Sequence, residues 1–297
     1  LMNITILGGT GFLGSSLISC LAKTNHNITV LTRNREKNKK LLVYPKLKLI
    51  QANVYSKDDL ASSTKNSDVL INLIGILNEK GHSGRGFRKA HSDLAKIILG
   101  ACKENEIKRI LHVGALNADS KGPSHYLRTK GEAESYLMTF GKRFANVTIF
   151  RPSVIFGKND NFILRFSNLL DFMPLVFPLA CHDSKFAPVF VNELSNFIIN
   201  SISDTKSFNK KYNLCGPKIY TLKEILELII KIKKRNIKVI PLSKSISKIQ
   251  ASIMEFVPGK PFSIDNFNSC QIDSTCNSDF KFYSDLETII PTYIKPS

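Results

Sequence analysis

Tyr126 and Lys130 stand four residues apart, directly after Pro123-Ser124. On a helix that starts there, both side chains project from one face. A lysine so placed can hold a ribose hydroxyl and lower the tyrosine's pKa, letting the phenol exchange a proton with a carbonyl or an alcohol. The same pair also occurs stacked on ordinary exposed helices, so its meaning depends on what surrounds it. The second constellation opens the chain: Ile4-Thr5-Ile6-Leu7-Gly8-Gly9-Thr10-Gly11-Phe12-Leu13-Gly14. Glycines at 8, 11 and 14 follow an apolar run and open a helical pattern. Backbone amides there can approach a pyrophosphate, and the helix N-terminus faces its charge. Gly8, Thr10, Gly11, Phe12, Leu13 and Gly14 are the expected contacts.

About twenty residues past such a turn, a dinucleotide site reads the adenosine ribose, and an acid there accepts from the free hydroxyl of NAD. This chain instead reads Leu31-Thr32-Arg33-Asn34-Arg35. Arg33 and Arg35 would pair with a 2′-phosphate, so NADP(H) is expected in preference to NAD(H).

These residues need a frame. Short apolar runs at Asn3 to Leu7, Ile28 to Thr32, Lys46 to Gln51, Asp68 to Ile74, Arg109 to Val113 and Val147 to Arg151 alternate with helical patterns. The helical patterns cover about Phe12 to Lys23, Asp58 to Lys65, Phe87 to Asn105 and Ser124 to Phe144. That alternation predicts an α/β protein, with a Rossmann-type doubly wound parallel sheet covered on both faces. After Arg151 the rhythm changes. Phe156 to Lys185 has no clean period and suggests a lid, and a helix opens at Thr221 with Glu224 completing a capping box. The tail from Pro258 is weakly patterned. We therefore expect a dinucleotide-binding domain over residues 1–151 and a smaller α/β cap over 152–297, interleaved with the first.

Composition narrows the function. At 43% hydrophobic and 22% charged, the chain is neither disordered nor fibrous. Leu169 to Ala180, the longest apolar stretch, is too short to span a bilayer. No leader pattern precedes Asn3, so a cytoplasmic placement is expected, with a peripheral position on the inner face of a membrane as its extension. The net charge is +18. No aromatic interleaves the basic run Arg33 to Lys40 and no helix-turn-helix appears, so no nucleic acid is expected; the charge reads either as lysines spread over a solvated surface or as attraction to an acidic protein or membrane surface. The six cysteines show no paired two-residue spacing and are expected to be reduced, and the histidines lack ligand spacing, so no metal site is expected. Phe172, Met173, Val176 and Phe177 read either as anchors packed against the protein's own core or as part of a docking patch for a hydrophobic partner or membrane interface.

The glycine turn, Asn72-Leu73-Ile74-Gly75, Tyr126-Leu-Arg-Thr-Lys130 and Arg151-Pro152-Ser153 together resemble the extended and atypical short-chain dehydrogenase/reductase superfamily. More narrowly, Tyr126-Leu-Arg-Thr-Lys130-Gly-Glu-Ala-Glu134, Arg151-Pro-Ser-Val-Ile-Phe-Gly157, Asp160-Asn-Phe162 and Pro188-Val-Phe-Val191 resemble the alpha-subcomplex subunit 9 family of respiratory complex I and its bacterial relatives. The resemblance implies a tightly held NADPH and a structural role on a respiratory complex. It adds Asn53, Val54, Leu73, Ile74, Gly75 and Pro152 to the cofactor contacts, with Asn53 standing where many relatives carry Asp. One departure bears on catalysis. Active relatives place Ser or Thr just after the fifth strand, whereas this chain has Val113-Gly114-Ala115-Leu116, and Tyr126 and Lys130 are then vestigial. The expected role is structural, assembly-related or redox-sensing. The alternatives are an active NADP-dependent reductase or nucleotide-sugar epimerase/dehydratase with a small-molecule substrate, and a redox-sensing regulator resembling the NmrA-like proteins.

Overall fold

The computed structural model describes residues 1–296; Ser297 lies outside the described residues. In chain order the first half contains β1 (Asn3–Leu7), α1 (Phe12–Leu21), β2 (Asn27–Thr32), β3 (Leu47–Gln51), α2 (Lys57–Ser63), β4 (Val69–Asn72), α3 (Arg85–Arg88), α4 (Leu94–Glu104), β5 (Arg109–Val113), α5 (His125–Phe140) and β6 (Asn146–Pro152). All six expected strands form. The helix expected from Phe87 to Asn105 is instead divided by a π-helical turn over Lys89–Asp93.

The second half contains β7 (Ile155–Phe156), α6 (Ile163–Asp171), β8 (Val176–Leu179), β9 (Lys185–Phe186), β10 (Val189–Phe190), α7 (Val191–Asn200) and β11 (Lys210–Leu214). It continues with β12 (Tyr220–Thr221), α8 (Leu222–Ile232), β13 (Lys238–Pro241), α9 (Lys244–Met254), α10 (Ile264–Ser269) and α11 (Leu286–Ile289). The stretch 156–185, read from sequence as irregular, therefore holds regular elements.

Seven parallel strands make the central sheet in the order β11-β6-β5-β4-β1-β2-β3. This is a Rossmann-type arrangement whose order reverses between β1 and β4, where ligands sit at the carboxyl edge of such sheets. The strands are Val-, Ile- and Leu-rich on both sides because both faces are covered. Ile4, Ile6, Leu17, Ile18 and Val30 fill one face, and Leu7, Leu70, Ile98, Ile110 and Leu137 the other. The second half returns to this sheet: α7 packs on the α1 side, and β11 pairs with β6 in parallel register from Lys210–Thr148 to Leu214–Pro152. Arg109 anchors that return. Its buried guanidinium donates to the Ile202 and Ser201 carbonyls at 3.0 and 2.6 Å and to Ser207 Oγ at 2.8 Å, and it lies over the Phe208 ring.

A separate apolar cluster, including Phe156, Ile163, Leu170, Ile225 and Ile229, holds the remaining elements together. The capping box expected at Thr221 and Glu224 forms at the start of α8. Phe177 points into this cluster and is only 8% exposed, so it cannot serve in a docking patch, whereas Phe172 stands 81% exposed. Alternation along β8 explains the difference, because successive side chains of a strand face opposite ways. Not all the cysteines are reduced: Cys215 and Cys276, with Cα atoms 6.0 Å apart, form a disulfide, while Cys20, Cys102, Cys181 and Cys270 are free. No helix among the described residues is long and apolar enough to cross a membrane.

Candidate dinucleotide site

Gly8 begins the turn after β1 with φ +79°, a conformation that favours glycine. At Gly14 a Cβ would stand 2.5 Å from the Gly8 carbonyl oxygen and the Gly9 Cα, so the missing side chain lets α1 press against the turn. Gly11 is the N-cap of α1, where no side chain caps the first amides. A Cβ at Gly11 would meet only Gly8 O within 4 Å, which leaves room above the turn. Uncapped amides, the positive end of a helix and open space suit a phosphate. Thr10 is exposed and Phe12 half-buried beside it, while Leu13 turns into the core.

Farther along the carboxyl edge, Arg33 is exposed after β2 and lies near Tyr55, over whose ring Lys89 also stands. Arg35 is held differently: its Nε donates to the Leu49 carbonyl at 3.2 Å and its amide to Gln51 Oε1. Asn53 is exposed, its amide donating to the Asp59 carboxylate at 2.6 Å and its side-chain oxygen accepting from Tyr55 N. Val54 is buried.

At the end of β4, Leu73 and Ile74 are half-buried and close over Gly8. The Asn72 side chain fixes this turn by accepting from Ile74 N at 3.1 Å while its amide meets His112 Nδ1 at 3.0 Å. Gly75 faces Lys130, whose Nζ would stand 3.0 Å from a Cβ at that position. Lys130 itself is 4% exposed and donates to the Val113 carbonyl at 3.0 Å. Burial lowers its pKa to about 8, against the opposing pull of Glu134. Pro152 is buried at the end of β6, where its carbonyl accepts from Leu116 N. The structure therefore brings Gly8, Gly75, Tyr126 and Lys130 to the ends of β1, β4 and β5, with Arg33 and Asn53 at the ends of β2 and β3.

Tyr126 departs from the expected behaviour. Its ring packs edge-on to His91 and Phe87. Burial, then the carboxylates of Glu134 and Asp265, push its pKa up to about 12 rather than down. His91 and Glu134 were invisible in the sequence as parts of this site. His91 Nε2 accepts from Ile76 N at 3.2 Å, so the imidazole is neutral, and burial holds its pKa well below the ordinary value. Its Nδ1 then donates to Thr129 Oγ1 at 2.9 Å, and Thr129 donates to the His125 carbonyl. Glu134 lies beneath the chain after β5, accepting from Ala115 N at 3.3 Å and ion-paired with Arg151 at 3.1 Å. Arg151 also donates to the Ala118 carbonyl. Asp265, on α10, accepts from His125 N and Tyr126 N at 2.6 and 3.1 Å, so the tail covers the start of α5. A cleft of about 220 Å³ is walled by Asn78, Phe87, His125, Arg128, Lys260 and Asp265; neither Tyr126 nor Lys130 is among the residues that line it.

The sequence profile of the NAD(P)H-binding family matches residues 8–162, the glycine turn through β6 and beyond. The chain belongs to that NAD(P)H-binding family. Within it, the chain is 26% identical over 98% of its length to the mitochondrial NADH dehydrogenase [ubiquinone] 1 alpha subcomplex subunit 9 of Arabidopsis thaliana, spanning 75% of that protein. The Mus musculus protein of the same name is 25% identical over 95% of this chain and 75% of its own length. Among solved structures, a nucleoside-diphosphate-sugar epimerase from Staphylococcus aureus superposes with a TM-score of 0.71 at 19% identity, covering 91% of this chain and 89% of that one. An Escherichia coli NADPH-dependent quinone oxidoreductase, complexed with NADPH, gives 0.72 at 20% identity over 92% of each chain. The likeness to atypical short-chain dehydrogenase/reductases read from the motifs stands.

Proposed function

We propose that this protein binds NADP(H) and uses it to support structure, assembly or redox sensing in a membrane-associated respiratory complex, on the inner face of the membrane, rather than to turn over a substrate. One observation carries the reading. A Cβ at Gly114 would stand 2.1 Å from Glu134 Oε1, so the position at which active relatives carry a hydroxyl is filled by a buried carboxylate. A substrate oxygen there meets no side-chain donor, and losing one preorganised donor commonly costs about 3 kcal/mol of transition-state stabilisation. The raised Tyr126 pKa points the same way, because a general base works best near the operating pH. The names of the relatives in plants and mice support the respiratory partner.

Gly8, Gly11 and Gly14 with the α1 N-terminus would hold the pyrophosphate, Arg33 the 2′-phosphate, and Gly75 and Lys130 the nicotinamide ribose. The bound dinucleotide supplies hydride chemistry. We divide the chain, as read from sequence, into a dinucleotide domain over 1–151 and a cap that follows it.

Lys130, facing Gly75 four residues along α5 from Tyr126, supports a second reading: an active reductase or nucleotide-sugar epimerase using Tyr126 and Lys130. One experiment separates the two. Protein purified with NADPH is mixed with quinones, carbonyls and nucleotide-sugars while absorbance follows both cofactor and product, and Tyr126→Phe is compared. The proposal expects no turnover and unchanged NADPH retention in both proteins. Turnover that Tyr126→Phe abolishes would establish the enzyme instead.

A further inference from the structure

Helix α9 buries one side and leaves the other apolar. Ser247 and Ala251 face inward, with Ser247 Oγ accepting from Cys181 N. Ile246, Ile249 and Ile253 stand 51%, 59% and 62% exposed, at spacings of three and four that align them in one stripe. A surface helix of a globular protein normally turns polar residues outward, so this pattern is inverted.

The stripe does not end at the helix. Gln250, beside it, donates to the Pro178 carbonyl, which brings α9 against the ladder formed by β8 and β13. Val176 and Ile240 point outward from that ladder, and Phe172 and Leu175 stand exposed just before it. Phe256, at the end of α9, is 81% exposed. Single exposed apolar side chains need no explanation, but a contiguous face does.

Its electrostatic setting indicates what it meets. Between Lys231 and Lys260 there are eight basic residues and one acid, Glu255; Lys233 among them is buried and paired at 2.8 Å with Asp171, the acid beside Phe172, which leaves seven to face outward. Glu255 is itself engaged by His82 at 2.9 Å. Lysines flanking an apolar helical stripe, with aromatic side chains at its end, are the arrangement of helices that lie in a bilayer surface: apolar groups enter the acyl boundary while the lysine stems reach the headgroups. A protein partner would need an apolar and an acidic surface combined, whereas an anionic bilayer offers both everywhere.

We propose that α9 and the outer face of the β8–β13 ladder dock on an anionic lipid bilayer. This goes beyond the dinucleotide reading and does not depend on it, because none of these residues belongs to the glycine turn or to the Tyr126 neighbourhood.

The test is flotation of the whole protein with vesicles of phosphatidylcholine alone and of phosphatidylcholine mixed with phosphatidylglycerol. Binding to the mixed vesicles should be at least about tenfold stronger and should weaken as salt rises. Ile249→Asp with Ile253→Asp should abolish it, and Lys244→Glu with Lys248→Glu should reduce it about tenfold or more. Phe172→Ser with Phe256→Ser, both in connecting segments, provides a second apolar variant should the helix variant fail to fold; an unchanged circular-dichroism spectrum and thermal midpoint show which variants are folded. Absence of binding to the mixed vesicles overturns the proposal, as does equal binding by the folded apolar variants. A dimer that the same substitutions dissociate, with no vesicle binding, overturns it in favour of a second copy. None of these failures bears on turnover or NADPH retention, which test the preceding proposal.

Discussion

Glu134 and Gly114 exclude each other's side chains: the carboxylate of one occupies the space that a Cβ of the other would fill, at 2.1 Å. Gly114→Ser therefore cannot restore the missing hydroxyl without displacing a buried acid that Arg151 and Lys211 compensate. The variant should lose about 1–3 kcal/mol of stability through overpacking and gain no activity. Gly100 is the control, an exposed helical glycine with nothing within 4 Å of a built Cβ. Gly100→Ala should stabilise by roughly 0.5–1 kcal/mol. Urea denaturation of both variants checks the opposite signs.

Arg33 stands exposed where a carboxylate would select NAD. Calorimetric titration should show tighter binding of NADPH than of NADH in the parent and the reverse in Arg33→Asp, whose carboxylate repels a 2′-phosphate. Arg35 is tied to the Leu49 carbonyl, so Arg35→Ala should change the preference less. Equal affinities of the parent for both cofactors would refute the assignment.

Buried Lys130 makes stability depend on pH in the alkaline range. Its pKa falls from 10.5 to about 8 on folding, chiefly through burial. Between those values the unfolded chain holds more protons. Stability from this group is thus fully present above 10.5 and is lost as pH falls through 8, a span on the order of 3 kcal/mol. Tyr126, raised to about 12, has the opposite slope above pH 10, where the folded chain keeps the proton. Denaturation midpoints should rise from pH 8 toward 10 more steeply in the parent than in Lys130→Met; parallel curves would show that Lys130 does not titrate there.

Arg109 holds residues 201–208 against the sheet through three hydrogen bonds and a ring contact. Arg109→Ala leaves buried carbonyls unpaired and should cost about 2–4 kcal/mol. Arg109→Lys should recover only part, because one ammonium cannot reach partners spread around a planar fork. A thermal melt of each variant measures the ranking.

What the sequence revealed and what it concealed follow from the range of the interactions involved. Parallel strands buried on both faces announce themselves as local apolar runs, so β1 through β6 were legible, as were the glycine turn and the capping box at Thr221. Contacts between distant segments leave no local trace. Cys215 and Cys276 are 61 residues apart, and neither flanking sequence marks them as partners. Nothing around Glu134 indicates that it lies beneath Gly114, and the raised Tyr126 pKa depends on that placement together with Asp265. Core packing and docking both stayed open for Phe177 because an apolar run does not declare which alternate residues face inward, and only the seating of β8 decides that.

The cap that Asp265 provides for α5 comes from 140 residues downstream. At synthesis rates of about 5–20 residues per second, roughly 7–28 s separate the emergence of that helix from that of its carboxylate. During this interval the first six strands can already pair, while the amides of His125 and Tyr126 remain open to water. The nascent chain thus passes through a stage in which the sheet is built while the start of α5 is not yet covered, and the segment that carries Asp265 completes that cover only after it has emerged in turn.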